Sequence, residues 1–127
     1  LVLTTGARSP FFFHSEYRQL SSLRRLQPDP VVELGPETAE RCGVKDGDWA
    51  WVETPRGRVR MKVRVLPGML EGVASAQHAW WFPEKPGPDH GCFESNVNAL
   101  TSDEPPFDPC FGASNLVAML CKVYSAT

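Results

Sequence analysis

Hydrophobic and polar positions alternate most regularly in the middle of the chain. Between Asp48 and Thr54, Trp49, Trp51 and Glu53 fall on one face, and Ala50, Val52 and Thr54 on the other. Pro55-Arg56-Gly57 then reads as a hairpin turn. The returning segment places Val59, Met61, Val63 and Val65 on one side and Arg58, Arg60, Lys62 and Arg64 on the other. A period of two residues over this length predicts two strands with one buried face. Leu1-Val2-Leu3, Val31–Leu34 and Val73–Ala76 read as further short strands, and Leu116–Val123 as a closing strand buried on at least one face.

Helical signals are sparse. Ser15–Leu26 carries Leu20, Leu23 and Leu26 with Arg18, Arg24 and Arg25 between them. It predicts a short amphipathic helix with Ser15 as N-cap, stopped by Pro28 and Pro30. Gly35–Gly43 has Pro36 and Glu37 suited to a first turn, Arg41 to a last turn and Gly43 to a left-handed cap. From His78 to Pro109 periodicity stops, yet Trp80, Trp81, Phe82 and Phe93 favour burial over disorder. Of the adjacent pair Trp80 and Trp81, one should be buried and the other should pack on something outside the chain. Short strands, two small helices and polar loops predict a mainly β fold, most economically a small closed barrel.

Composition narrows the picture. The 127 residues fit one domain, and twelve Pro with ten Gly argue against a helical bundle. A formal net charge of −2 gives no general attraction to nucleic acid. The ordinary reading of the Arg58–Arg64 stripe is a solvated sheet face, with phosphate or an acidic neighbour as the alternative. Cys42, Cys92, Cys110 and Cys121 form no CxxC pair and no zinc-site spacing. Reduced thiols fit a reducing compartment such as the cytoplasm, and a Cys92–Cys110 disulfide stays open. No apolar run is long enough to span a membrane, and Leu1–Leu3 has no signal-peptide flanks. The abrupt start without Met suggests a piece of something larger.

The chemistry concentrates near the start, in Thr4-Thr5-Gly6-Ala7-Arg8-Ser9-Pro10 followed by Phe11-Phe12-Phe13-His14-Ser15. Hydroxyls, backbone N–H groups at a Gly and a planar guanidinium suit an anion such as phosphate. The plain alternative is a strand end with a polar turn. His78 and His90 have no partner at a useful spacing, and no Walker loop, GxSxG or HExxH occurs.

Several features now appear in a meaningful order: Thr-Thr-Gly-x-Arg, the His14-Ser15 step, GPETAERCGVKDGDWAWVET, the PRGRVRMKVRV hairpin, and Asn96-Val97-Asn98-Ala99-Leu100-Thr101 leading to Asp108-Pro109. Together they resemble the C-terminal molybdopterin-dinucleotide-binding domain of the dimethyl sulfoxide reductase superfamily. The Phe11–Phe13 run and His78–Glu84 look like its acetylene-hydratase-like branch. The resemblance covers almost the entire chain, 1–127.

It implies a double-psi β-barrel at the C-terminal end of a larger molybdenum or tungsten oxidoreductase, whose remaining domains are its partners. The implied cofactor is molybdopterin guanine dinucleotide, with the metal held by the parent enzyme. Carried over by position, Thr5, Gly6, Arg8 and Ser9 form the opening contact loop. His14 and Ser15 stand where that loop turns back toward the cofactor, and Asn98 offers its amide to a nucleotide or pterin edge. Ala7 departs from the family pattern, where Arg is common. These are recognition roles, so the isolated domain is not expected to be catalytic and contributes no metal ligand. A free-standing barrel acting as a cofactor-binding subunit or interaction module is the alternative.

Overall fold

Alternation decides the sheet. In the computed structural model, which describes residues 1–114 and 117–127, the predicted hairpin forms as β3 (Trp49–Thr54) and β4 (Gly57–Val65). They pair antiparallel, with Ala50 opposite Met61 and Val52 opposite Val59, all four facing inward and fully buried. The other described strands are β1 (Val2–Ala7), β2 (Val31–Leu34), β5 (Val73–Gln77), β6 (Val117–Leu120) and β7 (Lys122–Ser125). The chain is mainly β, with a single curled sheet in the order β6-β1-β5-β2-β4-β3-β7. Two pairings, β1 with β5 and β2 with β4, are parallel.

The predicted closing strand is two strands. Its first residue, Leu116, lies outside the described residues. β6 pairs with β1 and β7 pairs with β3, so they occupy opposite ends of the sheet order with only Cys121 between them. The buried Cys121 exchanges backbone hydrogen bonds of 2.9 Å with Leu1 in both directions. One turn of the chain thus serves both outer strands. β6 is largely exposed, and burial begins at Cys121 and Val123.

The outer face of the hairpin is ordered by its tryptophans. Arg58 lies 4.3 Å from the ring centre of Trp51, and Arg60 lies 4.7 Å from that of Trp49. Lys62 pairs with Asp29 and Arg64 with Glu33. The basic stripe is therefore partly a stacked surface.

The second predicted helix forms as Pro36–Arg41, with Cys42 as C-cap and Gly43 at φ +67°. Gly35 provides no side-chain cap, and Glu71 replaces it, accepting from the N–H of Thr38 at 2.7 Å and from its hydroxyl. A Cβ on Gly35 would collide with that carboxylate. The Thr38 hydroxyl also accepts from Gly72 N–H at 2.8 Å, joining the helix to the turn before β5.

The first predicted helix shrinks from Ser15–Leu26 to Ser21–Arg24, with Leu20 rather than Ser15 as N-cap. His14 and Tyr17 adopt φ values of +52° and +76°, which a right-handed helix does not admit. Arg18, not Leu20 or Leu26, turns inward. The irregular stretch contains a four-residue helix, Cys92–Ser95, and a 3-10 turn, Val97–Leu100. Trp80 is fully buried and Phe82 nearly so, whereas Phe93 is 70 % exposed, against the sequence expectation. All four cysteines are free, so the Cys92–Cys110 bridge does not form.

Candidate functional site

β1 and β5 run parallel and finish side by side, with Ala7 opposite Gln77. Their register slips between Thr4 and Ala7. Thr5 is buried at this step, and Gly6 is exposed with open space where a Cβ would stand. Two loops leave from the shared end: residues 8–20 after β1 and residues 78–91 after β5.

The loops are laced together. His78 Nδ1 lies 3.0 Å from the Ala7 carbonyl, and its Nε2 lies 3.1 Å from His14 Nδ1. A carbonyl only accepts, so His78 carries a proton on Nδ1. When neutral, its Nε2 then accepts from His14, leaving His14 Nε2 as the outward nitrogen. Trp81 Nε1 donates to the Ser15 carbonyl at 2.5 Å. Arg18 donates to the carbonyls of His14 at 2.6 Å and His78 at 3.5 Å.

An aromatic cluster supports this lacing. Phe12, Trp80 and Phe82 are buried together, with Phe11 and Leu23 against them. Arg18 sits 4.6 Å from the ring centre of Phe12 and 4.8 Å from that of Trp80, and Arg24 lies 5.1 Å from Trp80. The Arg24 guanidinium makes a two-bond contact to Glu84, at 3.1 and 3.0 Å. That contact holds the Glu84 carboxyl below its ordinary pKa. Burial, with Arg24 nearby, lowers the pKa of Arg18 to about 10.

The structure gathers Thr5, Gly6, Arg8, Ser9, His14 and Ser15 along one edge. Arg8 is exposed and pairs with no carboxylate among the described residues. Ser9 Oγ accepts from Phe11 N–H at 3.2 Å, fixing the turn. Ser15 uses its carbonyl, not its hydroxyl, in the contact with Trp81. Asn98 belongs elsewhere in the fold, exposed in the 3-10 turn that Asn96 caps by accepting from its N–H at 3.0 Å. That turn is seated on the β3–β4 hairpin, where Thr54 donates to the Leu100 carbonyl at 2.8 Å.

His78, Arg18 and Trp80 belong to the site's framework, and sequence reasoning missed these roles. His78 has a partner after all, supplied by the β1–β5 pairing. Trp81 is half-buried against Ser15 and His90 of its own chain. A separate groove of about 400 Å³ lies between Leu100, Pro105, Pro106, Met119 and Leu120 and contains none of the candidate residues.

The edge fits an anionic organic group. It offers open space at Gly6, a guanidinium at Arg8 with no carboxylate partner among the described residues, and a buried guanidinium at Arg18. Among the described residues no cluster of three or more His, Cys, Asp or Glu could hold a metal ion, and no helix is long and apolar enough to cross a membrane.

Known proteins are similar to this chain in sequence and in fold. Residues 1–118 match the family described as "Molydopterin dinucleotide binding domain". A dopamine dehydroxylase of Eggerthella lenta is 45 % identical over 127 residues, covering 100 % of this chain and 12 % of that protein. Acetylene hydratase of Syntrophotalea acetylenica is 35 % identical over 130 residues, covering 98 % of this chain and 18 % of the relative. The solved acetylene hydratase from Pelobacter acetylenicus superposes with a TM-score of 0.94 at 35 % identity, over 99 % of this chain and 18 % of that one. The chain thus spans less than a fifth of the length of these relatives, which have other domains besides. It belongs to the molybdopterin-dinucleotide-binding domain family found in dimethyl sulfoxide reductase-type oxidoreductases.

Proposed function

We propose that this chain is the C-terminal domain of a larger molybdenum or tungsten oxidoreductase and holds molybdopterin guanine dinucleotide along the Thr5–Ser15 edge. The observation that carries this reading is the exposed Arg8, which pairs with no carboxylate among the described residues, on the open Gly6 loop beside the His14–His78 pair. Arg8 and the backbone around Gly6 bind phosphate oxygens, with Thr5 and Ser9 fixing the turn. His14 and Ser15 line the returning side of the loop. Asn98 meets the ligand from the 3-10 turn, across a part of the site completed by other domains. When bound, the cofactor would supply the redox-active metal. This chain's residues bind and orient it and exclude water. The continuity of β6 and β7 through Cys121 supports a closed barrel of the double-psi type.

The relatives named above carry out a dehydroxylation and a hydration by name. One domain design serving both fits a role in cofactor retention, with the reaction chosen by residues outside it. The test is the molybdenum, tungsten and guanine nucleotide content of the purified full-length protein. Arg8→Ala should lower occupancy several-fold while leaving the circular dichroism spectrum unchanged. Full occupancy in that variant overturns the assignment of the edge.

A further inference from the structure

We propose that Arg18 is a second, buried cation of the dinucleotide site, whose countercharge is a phosphate of the ligand. This rests on the cofactor reading above.

The Arg18 side chain is almost wholly buried, at 2 % exposure. A buried charge is costly unless it is paired, and no carboxylate pairs with Arg18 among the described residues. The neighbouring carboxylate, Glu84, is engaged by Arg24 through both its oxygens. What surrounds Arg18 is partial compensation: the carbonyls of His14 and His78, and the faces of Phe12 and Trp80. Its Nε and the indole N–H of Trp80 have no hydrogen-bond partner among the described residues. The group remains protonated at neutral pH, since its lowered pKa of about 10 is still well above 7.

The location of this unbalanced charge gives it a role. Arg18 grips the two segments that carry His14 and His78, at the same end of the sheet as Gly6 and Arg8. Wrapped in aromatic rings, its field is poorly screened by solvent. An anion bound at the open loop relieves an excess of positive charge already present in the fold. Arg8 then supplies the exposed contact, and Arg18 supplies fixed positive charge behind the backbone. The planar fork also holds both loops in register, which a point charge does less well.

The test separates charge from packing. In the full-length protein, Arg18→Gln keeps a donor for the carbonyls but loses the charge, and Arg18→Lys keeps the charge but loses the fork. Guanine dinucleotide and metal per polypeptide are measured after gel filtration, with the thermal midpoint of the cofactor-free form measured in parallel. The expected result is a loss of roughly tenfold in occupancy for Arg18→Gln and substantial rescue by Arg18→Lys, with similar midpoints for the two variants. Wild-type occupancy in Arg18→Gln overturns the proposal. So does an equal loss in both variants that follows the midpoints, which assigns Arg18 to packing alone. Wild-type protein carrying no dinucleotide would overturn the cofactor reading itself, and an unaffected wild type beside a fully loaded Arg18→Gln would overturn only the role of Arg18.

Discussion

The interior of the curled sheet and the aromatic annex beside it bury apolar side chains by different means. The sheet interior is aliphatic, built from Leu3, Val32, Leu34, Val52, Val59, Met61 and their neighbours. Its residues arrive by strict alternation, and its backbone hydrogen bonds are satisfied by the strands themselves. The annex is assembled from two loops around Phe12, Trp80 and Phe82, and cations are packed onto its rings. Strands can therefore enclose a core that needs no polar detail. Loops that must stay shaped around a ligand need hydrogen bonds to named carbonyls and charges stacked on rings. The candidate site lies where the two regimes meet, at the ends of β1 and β5.

Cutting the annex at its centre should give the largest effect. Trp80→Ala is expected to cost about 3–5 kcal/mol in denaturant unfolding, comparable to or larger than the ~2–5 kcal/mol of Met61→Ala inside the sheet. Should Trp80→Ala cost under ~1 kcal/mol while Met61→Ala costs its full share, the annex would be an ornament on an independent sheet.

The boundary between the hairpin and the 3-10 turn offers a sharper probe. A Cβ on Gly57 would lie 2.8 Å from the Ala99 carbonyl oxygen, a backbone atom with little freedom to retreat. Gly57→Ala should therefore cost about 1–3 kcal/mol through overpacking. An unchanged unfolding midpoint would show that the turn bearing Asn98 is loosely seated.

A smaller effect is expected at Thr38, whose hydroxyl joins the helix after β2 to the turn before β5. Thr38→Val should cost about 1–2 kcal/mol from its lost hydrogen bonds. It should also change the response to acid. The Thr38 hydroxyl, foremost among its partners, holds the Glu71 carboxyl below the ordinary value of 4.5. The associated stabilisation is present in full above about pH 4.5 and is lost as the pH falls through the lowered folded value. Unfolding midpoints recorded down the acid range should fall less steeply in Thr38→Val than in wild type. Parallel slopes would remove Glu71 from the account.

Legibility followed the same division. The faces of β3 and β4, the extent of β2 and the helix at Pro36–Arg41 could be read because each depends on near neighbours. The resemblance carried by Thr5–Arg8, His14 and Ser15 led to the right family. Arg18 was misread because leucine spacing promised a helix, whereas the guanidinium turns inward between the rings of Phe12 and the distant Trp80. His78 looked partnerless because its partners, Ala7 and His14, are brought near by parallel strands whose pairing leaves no mark on spacing. Asn98 was named from its own late motif, and the seat of the turn that bears it, against Thr54 and Gly57, is set by contacts distant in sequence.

The turn at Cys121 has a consequence for biosynthesis. Leu1 and Cys121 exchange hydrogen bonds across a separation of 120 residues. Translation delivers roughly 5–20 residues per second, so the outer edge of β1 waits on the order of ten seconds for the strand that covers it. A nascent chain with an open edge can pair with its neighbours on the same messenger. Ribosome spacing and chaperone occupancy during that interval, more than the stability of the finished domain, would then govern how much of it reaches the cofactor.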